Sequence, residues 1–153
     1  MKKGIISVLI IGLLAIATAC SSTPTQGVGT VDSKVFFQSG KGIIYFDFDS
    51  STIKSEYLTM LSDLANYLIK HKGCKLFIEG NTDHTGGADY NHDLGMMRAT
   101  SIKKYLVKAG VNKRQISVDS QGEDNPIASN HDKMGRMKNR RGDITLKACN
   151  LPK

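Results

Sequence analysis

Apolar and polar positions follow two different periods along the chain from residue 42 onward. Short runs of β-branched and aromatic residues predict buried strands. Longer segments with apolar residues three and four positions apart predict amphipathic helices that bury one face. The predicted strands cover residues 43–46, 75–79, 116–120 and 143–148, and the predicted helices run from about 52–55 to 71 and from about 89 to 109.

The order of these elements, β-α-β-α-β-β, predicts an α/β protein and, more narrowly, an α+β two-layer sandwich of helices on one sheet. The β-α-β steps favour parallel pairing among the first three strands. A chain of 153 residues has room for one such domain, which we place at 42–149, with a tail at 150–153. Hydrophobic residues make up 40% of the chain and charged residues 23%, which excludes wholesale disorder.

The first 19 residues have the layout of a secretory signal peptide. Lys2 and Lys3 give a basic start, and residues 5–19 are almost wholly apolar or small. Such a run is too short to span a bilayer comfortably. Residues 17–20, Ala-Thr-Ala-Cys, resemble a bacterial lipobox, which predicts that Cys20 is lipidated and becomes the mature N-terminus. The alternative is an ordinary signal peptide followed by a stray cysteine.

Acylation at Cys20 would hold the domain at a membrane, because two or more acyl chains anchor a protein stably. The residue after the cysteine is Ser21 rather than Asp, which favours the outer membrane over the inner one. Residues 20–41 are rich in Ser, Thr and Gly and are predicted to be the acylated N-terminus and a flexible linker. We therefore expect a lipid-anchored outer-membrane protein whose domain lies in the periplasm.

The net charge changes little when the leader is removed. The chain has 21 Lys and Arg against 14 Asp and Glu, for a net charge of +7. Loss of Lys2 and Lys3 leaves 19 basic residues against 14 acidic ones, a balance of +5. Moderate basicity in an exported protein gives no reason to expect a nucleic-acid partner.

The most informative polar segment is 81–87, at the carboxyl end of the second predicted strand, where ligand sites of α/β sheets commonly lie. Arg98 comes 15 residues after Asp83 and falls on the apolar face of the second helix. A buried arginine needs partners to offset the cost of its burial. Three arrangements fit this pattern: a ligand site with both charges, an internal Asp83–Arg98 salt bridge, or an Arg98 side chain that extends to solvent.

A longer motif resembles the signature of the OmpA C-terminal-like domain family and, within it, most closely the peptidoglycan-associated lipoproteins. It reads Gly80-Asn81-Thr82-Asp83-x-x-Gly86-x-x-x-Tyr90-Asn91-x-x-Leu94-Gly95-x-x-Arg98-Ala99, with further matches at Gly122-x-x-x-Pro126 and Gly135-Arg136-x-x-Asn139-Arg140-Arg141. The resemblance covers about residues 42–148. It departs from the family at Asn81, where a His is usual, and at Thr85, where an Arg is frequent.

The resemblance implies a site for the diaminopimelate residue of the peptidoglycan stem peptide. Asp83 would bind the ammonium group of that residue, and Arg98 its carboxylate. The carboxylate would also meet backbone N–H groups near Phe48, Asp49 and a helix start around Leu94, while Arg140 would brace the ligand loop. The implied partners are peptidoglycan, the outer membrane through the lipid anchor, and Tol-system proteins. The second function we consider is a periplasmic adaptor that acts mainly through protein partners.

The same resemblance implies a mixed sheet in the order 1-4-2-3, with the fourth strand antiparallel to its neighbours. In that arrangement the end of strand 4 lies beside the start of strand 2. Cys74 and Cys149 would then come together, and an exported protein can keep a disulfide. Two free thiols are the alternative.

Metal binding and catalysis have weak support. The spacing of His84, Asp89, His92 and Asp93 matches no usual zinc pattern. A calcium loop counted from Asn81 would have His92 rather than Glu at its twelfth position. We find no nucleophile-base pair, so we expect no cofactor and no enzymatic activity. A basic run is expected to be a solvated face; it comprises Lys133, Arg136, Lys138, Arg140 and Arg141.

Overall fold

The structure is a computed structural model, and it describes Phe36 and residues 38–149. Its strands are β1 (Lys41–Tyr45), β2 (Lys75–Asn81), β3 (Ile116–Gly122) and β4 (Arg141–Lys147). Its α-helices are α1 (Leu58–Lys70), α2 (Ala88–Lys108) and α3 (Lys133–Asn139), and single 3₁₀ turns lie at Ser55–Tyr57 and Lys113–Gln115. All six elements predicted from the pattern are present.

The four strands form one mixed sheet in the order β1-β4-β2-β3. Strand β4 is antiparallel to both β1 and β2, whereas β2 and β3 are parallel. This confirms the strand order that the family resemblance implies. The expectation of parallel pairing among the first three strands is right for β2 and β3 and wrong for β1, because β4 lies between β1 and β2 and pairs with both.

Helices α1 and α2 pack on the sheet and enclose the hydrophobic core. Apolar side chains from both helices and from all four strands meet there, as the helical spacing predicts; fully buried examples are Ile44, Leu61, Leu64, Leu68, Leu76, Ile78, Ile102 and Ile144. Helix α2 approaches β2 closely at Gly95 and Gly80. A Cβ atom built on Gly95 would lie 2.3 Å from the Ser120 hydroxyl and 2.8 Å from the Gly80 carbonyl oxygen. Only a residue without a side chain lets the helix sit at this depth.

The folded part begins earlier than predicted. Phe36 is fully buried in the core cluster, its carbonyl accepts the Gly40 N–H at 2.7 Å, and the Gly40 carbonyl in turn accepts the Leu146 N–H at 2.8 Å. The end of the expected linker, 20–41, therefore belongs to the domain, because Phe36 packs in its core. The expected signal peptide at 1–19, the lipidation site Cys20 and the tail at 150–153 lie outside the described residues.

Helix α3 was not expected from the hydrophobic pattern. It has seven residues, and it begins where the Asp132 carboxylate accepts the Gly135 N–H at 2.7 Å. The expectation of a solvated basic face is wrong for the two arginines that follow it. The Arg141 side chain is 1% exposed and forms an ion pair with Asp143 at 3.0 Å, and the Arg140 side chain is 13% exposed. Both are buried because a carboxylate partner, Asp83 for Arg140 and Asp143 for Arg141, offsets the desolvation of their charge.

The register places Lys147, at the end of β4, opposite Lys75, at the start of β2. Cys74 and Cys149 flank this pair, and the structure joins them in a disulfide with their Cα atoms 4.9 Å apart. The topology thus brings together the two cysteines that the implied strand order predicts to be neighbours. Their oxidation in the native protein stays a prediction.

Candidate functional site

A charged cavity of about 160 Å³ lies beyond the carboxyl end of β2. It is bounded by the loop after β1, the loop after β2, the first turns of α2, and the residue between α3 and β4. All six residues that the family resemblance assigns to ligand binding line it, together with five others; the lining is Phe48, Asp49, Thr82, Asp83, Thr85, Gly86, Tyr90, Asn91, Leu94, Arg98 and Arg140.

Asp83 is held in place by two hydrogen bonds. One carboxylate oxygen accepts the Thr85 N–H at 2.9 Å, and the other accepts a guanidinium N–H of Arg140 at 2.8 Å. Burial opposes ionisation of the carboxyl group, but the bonds from Arg140 and Thr85 outweigh it, so that the pKa of Asp83 is lowered. Asp83 is therefore a fixed anion at neutral pH. Each of its oxygens has a second lone pair for another donor.

Arg98 is fully buried at the floor of the cavity. Its guanidinium donates to the carbonyl oxygens of Asp47 at 3.2 Å, Ser50 at 2.9 Å and Asn81 at 2.7 Å. An arginine has five N–H groups, so two of them have no partner among the described residues. Burial and the nearby positive charge of Arg140 lower the pKa of Arg98 to about 10, which leaves the side chain charged at neutral pH.

The two other arrangements considered for Arg98 are both wrong. The carboxylate of Asp83 pairs with Arg140 rather than with Arg98, and Arg98 does not reach solvent. Backbone carbonyl oxygens offset the burial of its charge instead. Because these oxygens come from the loop after β1 and from the end of β2, Arg98 also joins the two walls of the cavity. An Arg98→Ala change would therefore disturb folding as well as any ligand contact.

The rim of the cavity carries two exposed aromatic rings. Phe48 is 63% exposed and Tyr90 is 50% exposed. The Tyr90 hydroxyl donates to the Asp49 carboxylate and so bridges α2 and the loop after β1; this hydrogen bond to a carboxylate raises the pKa of Tyr90. Asp49 itself has φ of 51°, a left-handed conformation found in turns whose N–H groups form anion-binding nests.

The structure corrects the expected role of Leu94. Helix α2 begins at Ala88, so Leu94 is its seventh residue. Only the first four N–H groups of a helix lack a partner within it, and Leu94 is beyond them. Leu94 is 6% exposed and lines the cavity, but its backbone N–H is not at a helix start.

Two buried polar side chains in the cavity were missed by sequence reasoning. Thr82 is 3% exposed and Asn91 is 1% exposed. The Thr82 hydroxyl and the Asn91 amide oxygen have no hydrogen-bond partner among the described residues. The amide nitrogen of Asn91 donates to Glu123, which fixes its oxygen as an acceptor. Both residues belong to the motif quoted above, and their place in it could have identified them as candidates for the site.

Comparison with known proteins shows which family the chain belongs to. The chain belongs to the OmpA family, whose model matches residues 45–140. A relative from Haemophilus influenzae named peptidoglycan-associated lipoprotein is 35% identical to this chain over 148 residues, which cover 92% of this chain and 97% of the relative. A relative with the same name in Pasteurella multocida is 37% identical over 145 residues, again with 92% and 97% coverage.

Solved structures agree with the fold. The peptidoglycan-associated lipoprotein from Burkholderia pseudomallei matches with a TM-score of 0.67 and 36% identity, over 69% of this chain and 89% of that one. The C-terminal domain of Helicobacter pylori MotB matches with a TM-score of 0.64 and 30% identity, over 71% and 85% of the two chains. The protein is thus an OmpA-family relative of the peptidoglycan-associated lipoproteins. Like these relatives, it is not an enzyme.

Two further observations concern the described residues alone. No group of three or more His, Cys, Asp and Glu side chains among them is arranged to hold a metal ion. Within the same part of the chain, every helix is too short or too polar to cross a membrane.

Proposed function

We propose that this protein is an outer-membrane lipoprotein that binds the diaminopimelate residue of peptidoglycan non-covalently and tethers the envelope to the cell wall. The observation that carries the proposal is the pair of fixed opposite charges in one cavity, Asp83 and Arg98. The free end of diaminopimelate is a zwitterion, with an ammonium and a carboxylate on one carbon. A receptor for it needs one anion and one cation that do not neutralise each other.

The arrangement of partners keeps these two charges separate. Arg140 binds Asp83 at 2.8 Å, and three backbone carbonyls hold Arg98, so neither group is drawn into a bond with the other. With Asp49, the cavity carries two carboxylates and two guanidinium groups. A ligand with no net charge therefore leaves the electrostatic balance of the site unchanged.

The acceptors in the cavity fit the ammonium end of the ligand. Asp83 has lone pairs to spare, and the Asn91 amide oxygen is buried without a partner among the described residues. A buried acceptor without a donor costs about 1–3 kcal/mol. A ligand N–H directed at Asn91 would remove that cost, and the Thr82 hydroxyl can either donate or accept beside it.

The donors fit the carboxylate end. Arg98 has two N–H groups without partners among the described residues, and a guanidinium can grip a carboxylate with two parallel bonds. The left-handed backbone at Asp49 supports the expected contribution of N–H groups from Phe48 and Asp49. A few charge-assisted bonds at roughly 1.5–3 kcal/mol each give an affinity between about micromolar and millimolar.

Such weak binding is sufficient for a tether. Lipidated Cys20 would place many copies of the domain opposite a polymeric wall, and multivalent attachment exceeds the affinity of a single site. The names of the relatives from Haemophilus influenzae and Pasteurella multocida support association with peptidoglycan. The residues that bind and the ligand's chemistry are our inference from the cavity.

A pull-down with insoluble peptidoglycan tests the proposal. We expect the wild type to sediment with the polymer and Asp83→Asn to remain in the supernatant, since the amide removes the anion but keeps the shape. Lys138→Gln, an exposed change on α3, is the matched control and should sediment like the wild type. Equal sedimentation of wild type and Asp83→Asn would reject the site, and a wild type that stays in the supernatant would favour the adaptor function.

A further inference from the structure

A second concave surface lies on the outer side of α2, away from the cavity. It is a groove of about 520 Å³ between α2 and β3, and it shares no lining residue with the cavity. Four lysines surround it, and two valines lie between them; these are Lys103, Lys104, Lys108, Lys113, Val107 and Val118. We call this surface the lysine groove.

The charges of the lysine groove are not balanced locally. No aspartate or glutamate lines it, and none of its four lysines forms a salt bridge with a carboxylate of the described residues. Lys108 alone lies in the last turn of α2, where a cation complements the helix dipole. Positive and negative side chains are normally interspersed on a protein surface. The other three lysines instead form a positively charged surface without a carboxylate partner among the described residues.

The two valines and the edge strand β3 make the lysine groove suitable for a polypeptide segment in an extended conformation. Val107 is 38% exposed, and Val118 is half-buried on β3. Strand β3 lies at the edge of the sheet, and β2 is its one strand partner among the described residues. The Ser120 N–H donates to the Asp119 carboxylate at 2.9 Å rather than to a carbonyl of β2, so we place it on the outer side of β3. Because backbone groups alternate along a strand, the N–H and C=O of Val118 point to the same outer side.

We infer that the lysine groove binds an extended acidic segment of another protein, which adds to β3 as a further strand. Main-chain hydrogen bonds to Val118 would supply part of the affinity, since the neighbouring outward N–H groups of Ile116 and Ser120 already donate to Lys113 and Asp119. Alternate side chains would supply the specificity. Side chains of an added strand point alternately to the two faces of the sheet. Acidic residues on the α2 side would meet the lysines, whereas residues on the other side would lie near Asp119 and be uncharged.

This chain does not supply the segment itself. Residues 1–35 and Phe37 contain one acidic residue, Asp32, and residues 150–153 contain none. A second copy is an equally poor source, because the edge strand β1 has no acidic residue and β3 has only Asp119. Charge complementarity therefore points to a different, acidic protein, and the separation of the two surfaces lets it bind together with a ligand in the cavity.

Titration of the full-length protein in non-ionic detergent tests this inference. The probe is a blocked peptide of alternating Glu and Thr residues, matched in length to β3. We expect the peptide to bind, and NMR shifts of the Val107 and Val118 methyl groups measure this binding. The double variant Lys104→Glu/Lys108→Glu should bind the peptide about tenfold more weakly. The control Lys133→Glu/Lys138→Glu has the same change in charge on exposed positions of α3 and should bind within about twofold of wild type.

A second peptide separates strand addition from general attraction. N-methylation of alternate residues removes the donors that a strand needs and keeps the carboxylates, so we expect at least about tenfold weaker binding. Equal binding of the methylated peptide would mean that the lysines attract any polyanion and would overturn the inference. Equal effects of the α2 and α3 charge reversals would overturn it as well.

Discussion

The ion pair between Asp83 and Arg140 makes a quantitative prediction about stability. Arg140→Met keeps most of the volume of the side chain but removes the cation from a carboxylate that is 4% exposed. Loss of one partner from a buried pair costs about 3–5 kcal/mol. Asp83 retains the Thr85 N–H at 2.9 Å, so we expect a somewhat smaller cost than that range, about 2–4 kcal/mol of unfolding free energy at neutral pH.

The cost should depend on pH in a defined direction. In the wild type the pKa of Asp83 is lowered, so the pair stabilises the fold above the ordinary Asp pKa of about 3.9 and this contribution is lost as pH falls through the lowered value. In Arg140→Met, the Asp83 carboxyl group is still buried but has lost the hydrogen bond from Arg140 that favours its ionised form. The pKa of Asp83 should therefore rise above the ordinary value. The difference in stability between the two proteins should therefore shrink as the pH is lowered.

Urea unfolding followed by circular dichroism, at neutral pH and near pH 3.5, measures this difference. Lys138→Met changes an exposed residue of α3 and should cost less than about 0.5 kcal/mol at both pH values. Asp83→Asn/Arg140→Met should be more stable than Arg140→Met at neutral pH, because no buried charge is left. A cost of Arg140→Met that is the same at both pH values would refute the reasoning.

Three other predictions concern the fold and the anchor. Gly95→Ala should lower the free energy of unfolding by about 1–3 kcal/mol, because its Cβ would lie 2.3 Å from the Ser120 hydroxyl; Gly87→Ala, with no atom within 4 Å of its Cβ, is the control, and equal costs would contradict the close approach of α2. Mass spectrometry of a non-reduced digest should find Cys74 joined to Cys149 across their separation of 75 residues, whereas free, alkylatable thiols would reject the bridge. Fractionation of Cys20→Ala should find the protein soluble in the periplasm, and its retention in membranes would reject lipidation.

Much of the fold could be predicted because its determinants are local. Leu61, Leu64 and Leu68 recur at helical spacing and are fully buried, as the pattern requires. The β-branched runs likewise locate the strands. Helix α3 was missed because a short polar helix has no apolar stripe; its start is set by the capping carboxylate of Asp132. Such a cap gives a weaker signal in the sequence than hydrophobic periodicity does.

Six of the eleven residues that line the candidate site were predicted from the sequence, whereas the pairing of their charges was not. The motif and the apolar position of Arg98 identified residues that line one cavity. The choice of Arg140 as partner of Asp83 depends on a contact between residues 57 positions apart, which local spacing does not encode. The three carbonyl partners of Arg98 are backbone groups and have no side-chain signature at all.

Calorimetric titration with two soluble stem peptides tests the central claim most directly. The peptides differ only in their third residue, which is diaminopimelate in one and lysine in the other, so that the second lacks the carboxylate proposed to bind Arg98. We predict that the first peptide binds between about micromolar and millimolar affinity and the second at least about tenfold more weakly. Asp83→Asn should weaken binding of the diaminopimelate peptide by a similar factor. Equal affinity for the two peptides, or binding that survives Asp83→Asn unchanged, would contradict the account.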